Sequence, residues 1–291
     1  MKADKFRTVI IYIIIILLGL VCLLPLLNIV AISFSSSAAV EGNMVGLIPV
    51  GFSTAAYKKI LEDSQFWHSF LISVERVVLA LIINFVLIVL MAYPLSKTNA
   101  QFRGRNIYAN LMIFAMLFNG GMIPTFLVVK SYGLLNTVWA LVLPGAVPIF
   151  NVILVMNFFA AVPKELEEAA FIDGANPFQV LTKIFIPISK PVLATVSLFS
   201  IVGSWNDFYS GLIYMSKAAY YPLMTYIQSL QINVEDLIKQ GNLSAVVDSA
   251  SLGNTNLNAA KIVIAVIPLL LIYPLLQRYF VSGIVVGSVK G

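Results

Sequence analysis

The chain has 291 residues, 60% of them hydrophobic and only 11% charged, with a net charge of +5 and a mean hydropathy of +0.95. A soluble domain carries about 25% charged residues, so a chain facing water on all sides is excluded. A single cysteine, Cys22, and a single histidine, His68, leave no intrachain disulfide and speak against zinc or haem ligation and against Ser/His or Cys/His catalysis.

A bilayer core takes about 20 helical residues, and six apolar runs of that order predict an all-α membrane protein. The first, about residues 9–32, reads VIIYIIIILLGLVCLLPLLNIVAI. Lys2, Lys5 and Arg7 precede it as in a signal peptide, but its core is too long and no cleavage site follows, so it is expected to stay as a helix. The second spans about 70–95 and carries Glu75 and Arg76 near its start. Adjacent residues diverge by about 100° on a helix, so these two need not pair. Arg76 is expected to snorkel to the outer headgroups, with a carboxylate on a companion chain as the alternative. The remaining spans are placed at about 111–129, 138–159, 192–214 and 262–281. Kinks are expected at Gly120, Gly121 and Pro124 in the third, Pro144 and Pro148 in the fourth, and Pro268 and Pro274 in the sixth. A β-barrel would alternate in short segments, a pattern absent here.

Lys and Arg near span ends set orientation. With a cytoplasmic N-terminus, eleven of these residues fall inside and seven outside, which puts both termini in the cytoplasm. Lys261 is counted among the outer charges. The inner carboxylates concentrate at Glu165, Glu167, Glu168 and Asp173. The inner membrane surface is negative and gives such a loop nothing, so a protein partner is expected to dock there.

That loop, residues 163–190, predicts two short helices on the inner face. Pro163 suits a first helical turn, and 164–172 are helix formers with glutamates at the positive end of the helix dipole. Gly174 after Asp173 is a C-terminal stop. Asn176 caps the second helix, with Pro177 first and Gln179 three residues after the cap; Pro187 is expected to end it. Ala169 and Ala170 let another surface approach the backbone closely.

The spacing Glu168-Ala169-Ala170, Gly174, Ile184 and Ile186-Pro187 resembles the EAA motif of ABC importer permeases, with Ile-Pro where Leu-Pro is usual. MAYPLSK (91–97), FNGGMIPTFLVVKSYGLLNT (118–137), SWNDFY (204–209) and YFVSGIVVGSVKG (279–291) resemble MalG-type sugar permeases, above all the LplC-type oligosaccharide subgroup. The resemblance implies a type I importer fold in a bacterial plasma (inner) membrane, with Glu168, Ala169, Ala170, Asp173, Gly174, Ile184 and Pro187 forming a coupling helix for an ATPase. It implies a second permease subunit, two ATPase subunits and an extracellular solute-binding protein, with a sugar or oligosaccharide moved by alternating access. No G-x-x-x-x-G-K-[ST] loop occurs in the sequence, so ATP and Mg belong to the partners and no cofactor to this chain.

Polar groups within spans tend to face a cavity or a partner helix. Asn119, Asn151, Trp205, Asn206 and Asp207 are the candidates along a sugar path, Trp205-Asn206-Asp207 offering an aromatic face, an amide and a carboxylate. Interhelical hydrogen bonding is the plainer role for them. The polar outer segment 217–258 is expected to be a functional loop, which by resemblance reaches into the binding protein. By resemblance, too, the small-residue tail 283–291 inserts near the ATPase dimer, unless it is a frayed end. The alternatives are an ion-coupled secondary transporter, disfavoured by sparse buried charge and the lack of a convincing internal repeat, and a membrane enzyme, disfavoured by the lack of an acid/base or metal constellation. Nothing points to nucleic acid; the positive charge is orientation charge.

Overall fold

The computed structural model describes residues 2–230 and 255–287, and among the described residues every regular element is helical. Away from water a backbone must satisfy its own hydrogen bonds, and a helix does so within one segment. In chain order the helices are α1 (Lys2–Ser33), α2 (Ser37–Glu41), α3 (Ala55–Glu62), α4 (Ser64–Leu95), α5 (Arg105–Leu117), α6 (Met122–Ser131), α7 (Val138–Val142), α8 (Ile149–Ala160), α9 (Lys164–Ile172), α10 (Pro177–Val180), α11 (Ile186–Ile188), α12 (Lys190–Asn206), α13 (Tyr209–Tyr214), α14 (223–230) and α15 (Thr255–Gly287). Among the described residues three stretches are long and apolar enough to cross a membrane unaided: Arg7–Ser33, Ser64–Leu95 and Thr255–Gln277. Sharply bent pairs of helices raise the number to as many as six.

Several of the expected spans are bent or interrupted. The third is two helices, α5 and α6, which meet at 111°. Gly121 has φ +88° and its amide donates to Asn119 Oδ1 at 2.9 Å, so the chain turns at the glycines where a kink was expected, though more sharply than a kink within one helix. In the fourth, α7 and the 3-10 turn Leu143–Gly145 meet α8 at 46°, at the expected prolines Pro144 and Pro148. The fifth is α12 followed by a break at Asp207 and then α13. The sixth begins earlier than expected, at Thr255, and α15 continues through Pro268 and Pro274 without interruption.

The chain divides into two compact units. The first comprises the described parts of Met1–Trp67 and Tyr226–Pro268. Its α1 has no buried side chain from Arg7 to Leu27, as suits a helix solvated by lipid rather than packed in a core. Below α1 the chain is tied by polar groups: Ser35 Oγ donates to Ala31 O at 2.6 Å and accepts from the Val50 amide at 3.0 Å. Asn256 donates to Ser35 O at 3.2 Å. Asp63 caps α4 by accepting the Phe66 amide at 3.0 Å, and also takes Lys261 Nζ at 2.8 Å and the Tyr226 hydroxyl at 2.9 Å. Lys261 is therefore a buried ion-pair partner, not a surface orientation charge. Burial raises the Asp63 carboxyl, but Lys261, the Phe66 amide and Tyr226 outweigh it and hold it below the ordinary carboxylate value.

The second unit holds His68–Thr225 and Leu269–Gly291. Its main core joins Ile88 and Ala92 of α4, Val152, Val155 and Phe159 of α8, Val180 and Phe185 after α9, and Val196 of α12. A smaller cluster packs Val129 of α6 and Leu141 of α7 against Tyr214 of α13. Gly211 of α13 lies against the side chain of buried Thr225, leaving no room for a Cβ. The expected outer loop 217–258 is partly folded, as a 3-10 turn Ala218–Tyr220, α14 and the start of α15. Residues 231–254 and 288–291, which carry most of the loop and the end of the tail, lie outside the described residues.

Candidate functional site

The acidic stretch 163–190 folds as a helix, a glycine turn and a second helical segment. Asp173 ends α9, and Gly174 follows at φ +82°. A Cβ there would meet nothing within 4 Å, so the backbone angle alone calls for glycine. Asn176 and Gln179 form a reciprocal capping box, each side chain accepting the other's amide at 2.9 Å, with Pro177 in the first turn of α10. Two details differ from expectation. Pro163 is the cap residue before α9 rather than inside its first turn. Pro187 does not end the second helix: a π turn, Leu181–Phe185, leads into α11, whose first turn accommodates a proline that lacks an N–H. The chain then turns by 83° into α12.

Along this stretch Glu168, Ala169, Asp173 and Pro187 are exposed, while Ala170 and Ile184 are half-buried against the main core. Leu166, Phe171, Ile172 and Phe178 are large apolar side chains left exposed beside them. Glu167 departs from the expected acidic docking surface. It is the buried residue of α9 and bonds Lys97, just beyond α4, instead of facing outward. Burial lowers the Lys97 ammonium below the ordinary lysine value, although the Glu167 hydrogen bonds and charge oppose that shift.

A second polar group sits among α4, α7, α12 and α13. Arg76 is 3% exposed and donates to both the carboxylate and the backbone carbonyl of Asp207, the latter at 2.9 Å. The expectation that it snorkels outward, or meets a companion chain, is thus corrected: its counter-charge lies in the same chain, at the break after α12. The carboxylate also accepts the Ser210 amide at 3.1 Å and hydroxyl at 2.5 Å. Asn84 turns its amide oxygen to Ser200 Oγ at 3.2 Å and its nitrogen to Gly145 O and Ala146 O, at 3.2 and 3.0 Å. Arg76, Asn84, Ser204, Asp207, Ser210 and Tyr214 help line a cavity of about 190 Å³.

Of the path candidates, the structure brings only Asp207 to this cavity. Trp205 is buried, its ring perpendicular to that of Phe70 with centroids 5.6 Å apart, so it is packed within the fold. Asn206 is exposed, Asn119 is exposed at the bend after α5, and Asn151 is buried in α8. Sequence reasoning missed Asn84, Ser210 and Lys97. The one available signal was that a polar side chain within or beside an apolar run needs a partner, which does not say which partner.

Over residues 3–286 the chain matches the family of binding-protein-dependent transport system inner membrane components. It is 41% identical over 273 residues to protein LplC of Bacillus subtilis (strain 168), covering 94% of this chain and 91% of LplC. It is 39% identical over 288 residues to the polygalacturonan/rhamnogalacturonan transport system permease protein YtcP of the same organism, covering 99% of each. A chain from the crystal structure of a bacterial ABC transporter involved in the import of the acidic polysaccharide alginate superposes with a TM-score of 0.84 at 32% identity, covering 96% of this chain and 98% of that one. Members of this family are permease components of transport systems rather than enzymes, and bind no cofactor themselves. A membrane-grade helical chain matched along nearly its whole length thus belongs to the inner-membrane components of binding-protein-dependent transport systems.

Proposed function

We propose that the chain is one of two different permease subunits of an ATP-driven importer for a sugar or oligosaccharide, delivered by an extracellular solute-binding protein and moved by alternating access. In this reading the chain crosses the membrane six times with both termini in the cytoplasm, and α9 to α11 lie on the inner face. There Glu168, Ala169, Ala170, Asp173, Gly174, Ile184 and Pro187 form the surface that two ATPase subunits, carrying ATP and Mg, engage. The observation that carries this reading is the exposed helix–glycine–helix surface. Phe171, Ile172 and Phe178 lie open on a stretch too polar to enter lipid, which suits burial by a protein. Permease relatives named for polygalacturonan and arabinooligosaccharides support a carbohydrate cargo. Asn119, Asn151, Trp205, Asn206 and Asp207 remain proposed path residues, with Asp207 at the cavity the foremost.

Affinity purification of the tagged chain from its native membrane tests the assignment. A second permease and an ATPase should co-elute, and both Glu168→Lys and Gly174→Asp should lose the ATPase while the chain stays in the membrane. Recovery of the chain alone, with uptake insensitive to ATP depletion but abolished by ionophores, would favour an ion-coupled transporter instead.

A further inference from the structure

Helices usually dock through apolar side chains, but the residue that α9 buries is the carboxylate Glu167. Its two oxygens accept from Lys97 Nζ at 2.7 and 2.8 Å, and both side chains are 11% exposed. The ammonium also sits over two aromatic rings, 4.1 Å from the centroid of Tyr93 in α4 and 4.3 Å from that of Phe185 in the π turn. Phe185 in turn meets Phe159 of α8 edge-on, centroids 5.4 Å apart. One charge thus touches α4, α9 and the π turn, and through Phe185 the start of the core.

The Lys97 end is fixed to α4. Ser96 Oγ donates to Tyr93 O at 2.7 Å, and Arg105 Nε reaches back to Leu95 O at 2.9 Å. Exposed ion pairs are loose because water competes for both charges. An enclosed pair resists separation, since either charge left alone would be stranded away from water. The ring faces attract the cation on the sides the carboxylate leaves free. Such a contact holds the two elements at a fixed distance.

We propose that the Lys97–Glu167 pair is the joint through which displacement of α9 is passed to α4, and that Glu167 is a positioning residue of the transport cycle. The proposal rests on α9 being the segment that engages the ATPase. Force applied to α9 reaches α4 at its cytoplasmic end, so the two move as one body.

Pulsed electron–electron resonance on the intact complex in nanodiscs tests this, with Cys22→Ser removing the native thiol and spin labels at Leu166 in α9 and Leu90 in α4, both exposed. The label separation should be the same in the nucleotide-free and ADP–vanadate-trapped states of the parent. In Glu167→Gln and in Lys97→Met the fixed separation should be lost and should shift on trapping, with ATP hydrolysis retained. A shift on trapping in the parent overturns the joint, and this outcome does not depend on any variant folding. A fixed separation in both variants and both states overturns it equally. A parent chain that recruits no ATPase refutes the underlying assignment of α9 instead, a result read directly from the composition of the purified complex.

Discussion

Replacing Asp207 with alanine should strand the Arg76 guanidinium. That side chain is 4% exposed, against 28% for Asp207, and its Nε has no hydrogen-bond partner even in the intact protein. Without the carboxylate, the Asp207 carbonyl at 2.9 Å is its remaining acceptor among the described residues. Breaking a buried ion pair from one side costs about 3–5 kcal/mol, most of it for the charge left behind. The opposite change, Arg76→Met, should cost only about 1–2 kcal/mol, because the orphaned carboxylate reaches solvent and keeps the Ser210 amide and hydroxyl. Removing both charges in Arg76→Met/Asp207→Ala should cost less than Asp207→Ala alone, since no buried charge is then left stranded. Equilibrium unfolding of the four proteins in mixed micelles closes the cycle. Equal single effects that simply add in the double variant, within about 0.5 kcal/mol, would mean that the pair is loose and the reasoning wrong. The double variant also isolates transport, which Asp207→Ala cannot do once it destabilises the fold. Normal uptake by an assembled double variant would make the pair purely structural, whereas assembly without uptake would place the cavity on the sugar path.

Gly174→Ala should destabilise the inner hairpin by about 1–2 kcal/mol, the cost of a left-handed backbone for an L-residue, because φ is +82° and no neighbour crowds a Cβ. Thermal unfolding of the purified complex checks it, and Gly174→Asn should lose less. The Asp63 carboxyl is held below its ordinary 3.8, so its contribution to stability is complete above that value and is lost as pH falls through the lowered one. Stability should therefore be flat in this group from about pH 5 upward. Asp63→Asn should lower stability at neutral pH and remove the part of the acid limb due to this residue, as read by unfolding midpoints across pH. An unchanged acid limb in that variant would show that the carboxylate is not the group being titrated.

Hydropathy identified the helical class and located most of the apolar helices, because the length of a span is set by bilayer thickness. Turn chemistry was equally legible around Gly174 and at the Asn176–Gln179 capping box, where each hydrogen bond joins residues a few positions apart. The same local rules failed at Pro187. There a π turn shifts the hydrogen-bond ladder and lets the helix run on to Ile188. The prolines Pro268 and Pro274 lie within a single continuous helix, α15.

What the sequence by itself determined is what depends on near neighbours: the membrane class, the short helices of the acidic stretch, the prolines of the fourth span, and motif spacing that resembles a permease family. The partners of its charges were decided by tertiary structure alone. Arg76 meets Asp207 across 131 positions, Lys97 meets Glu167 across 70, and Lys261 meets Asp63 across 198. Each charge announced a need for a counter-charge once water was removed. Which one it found depended on the path of the backbone through space, and no local pattern encodes that path.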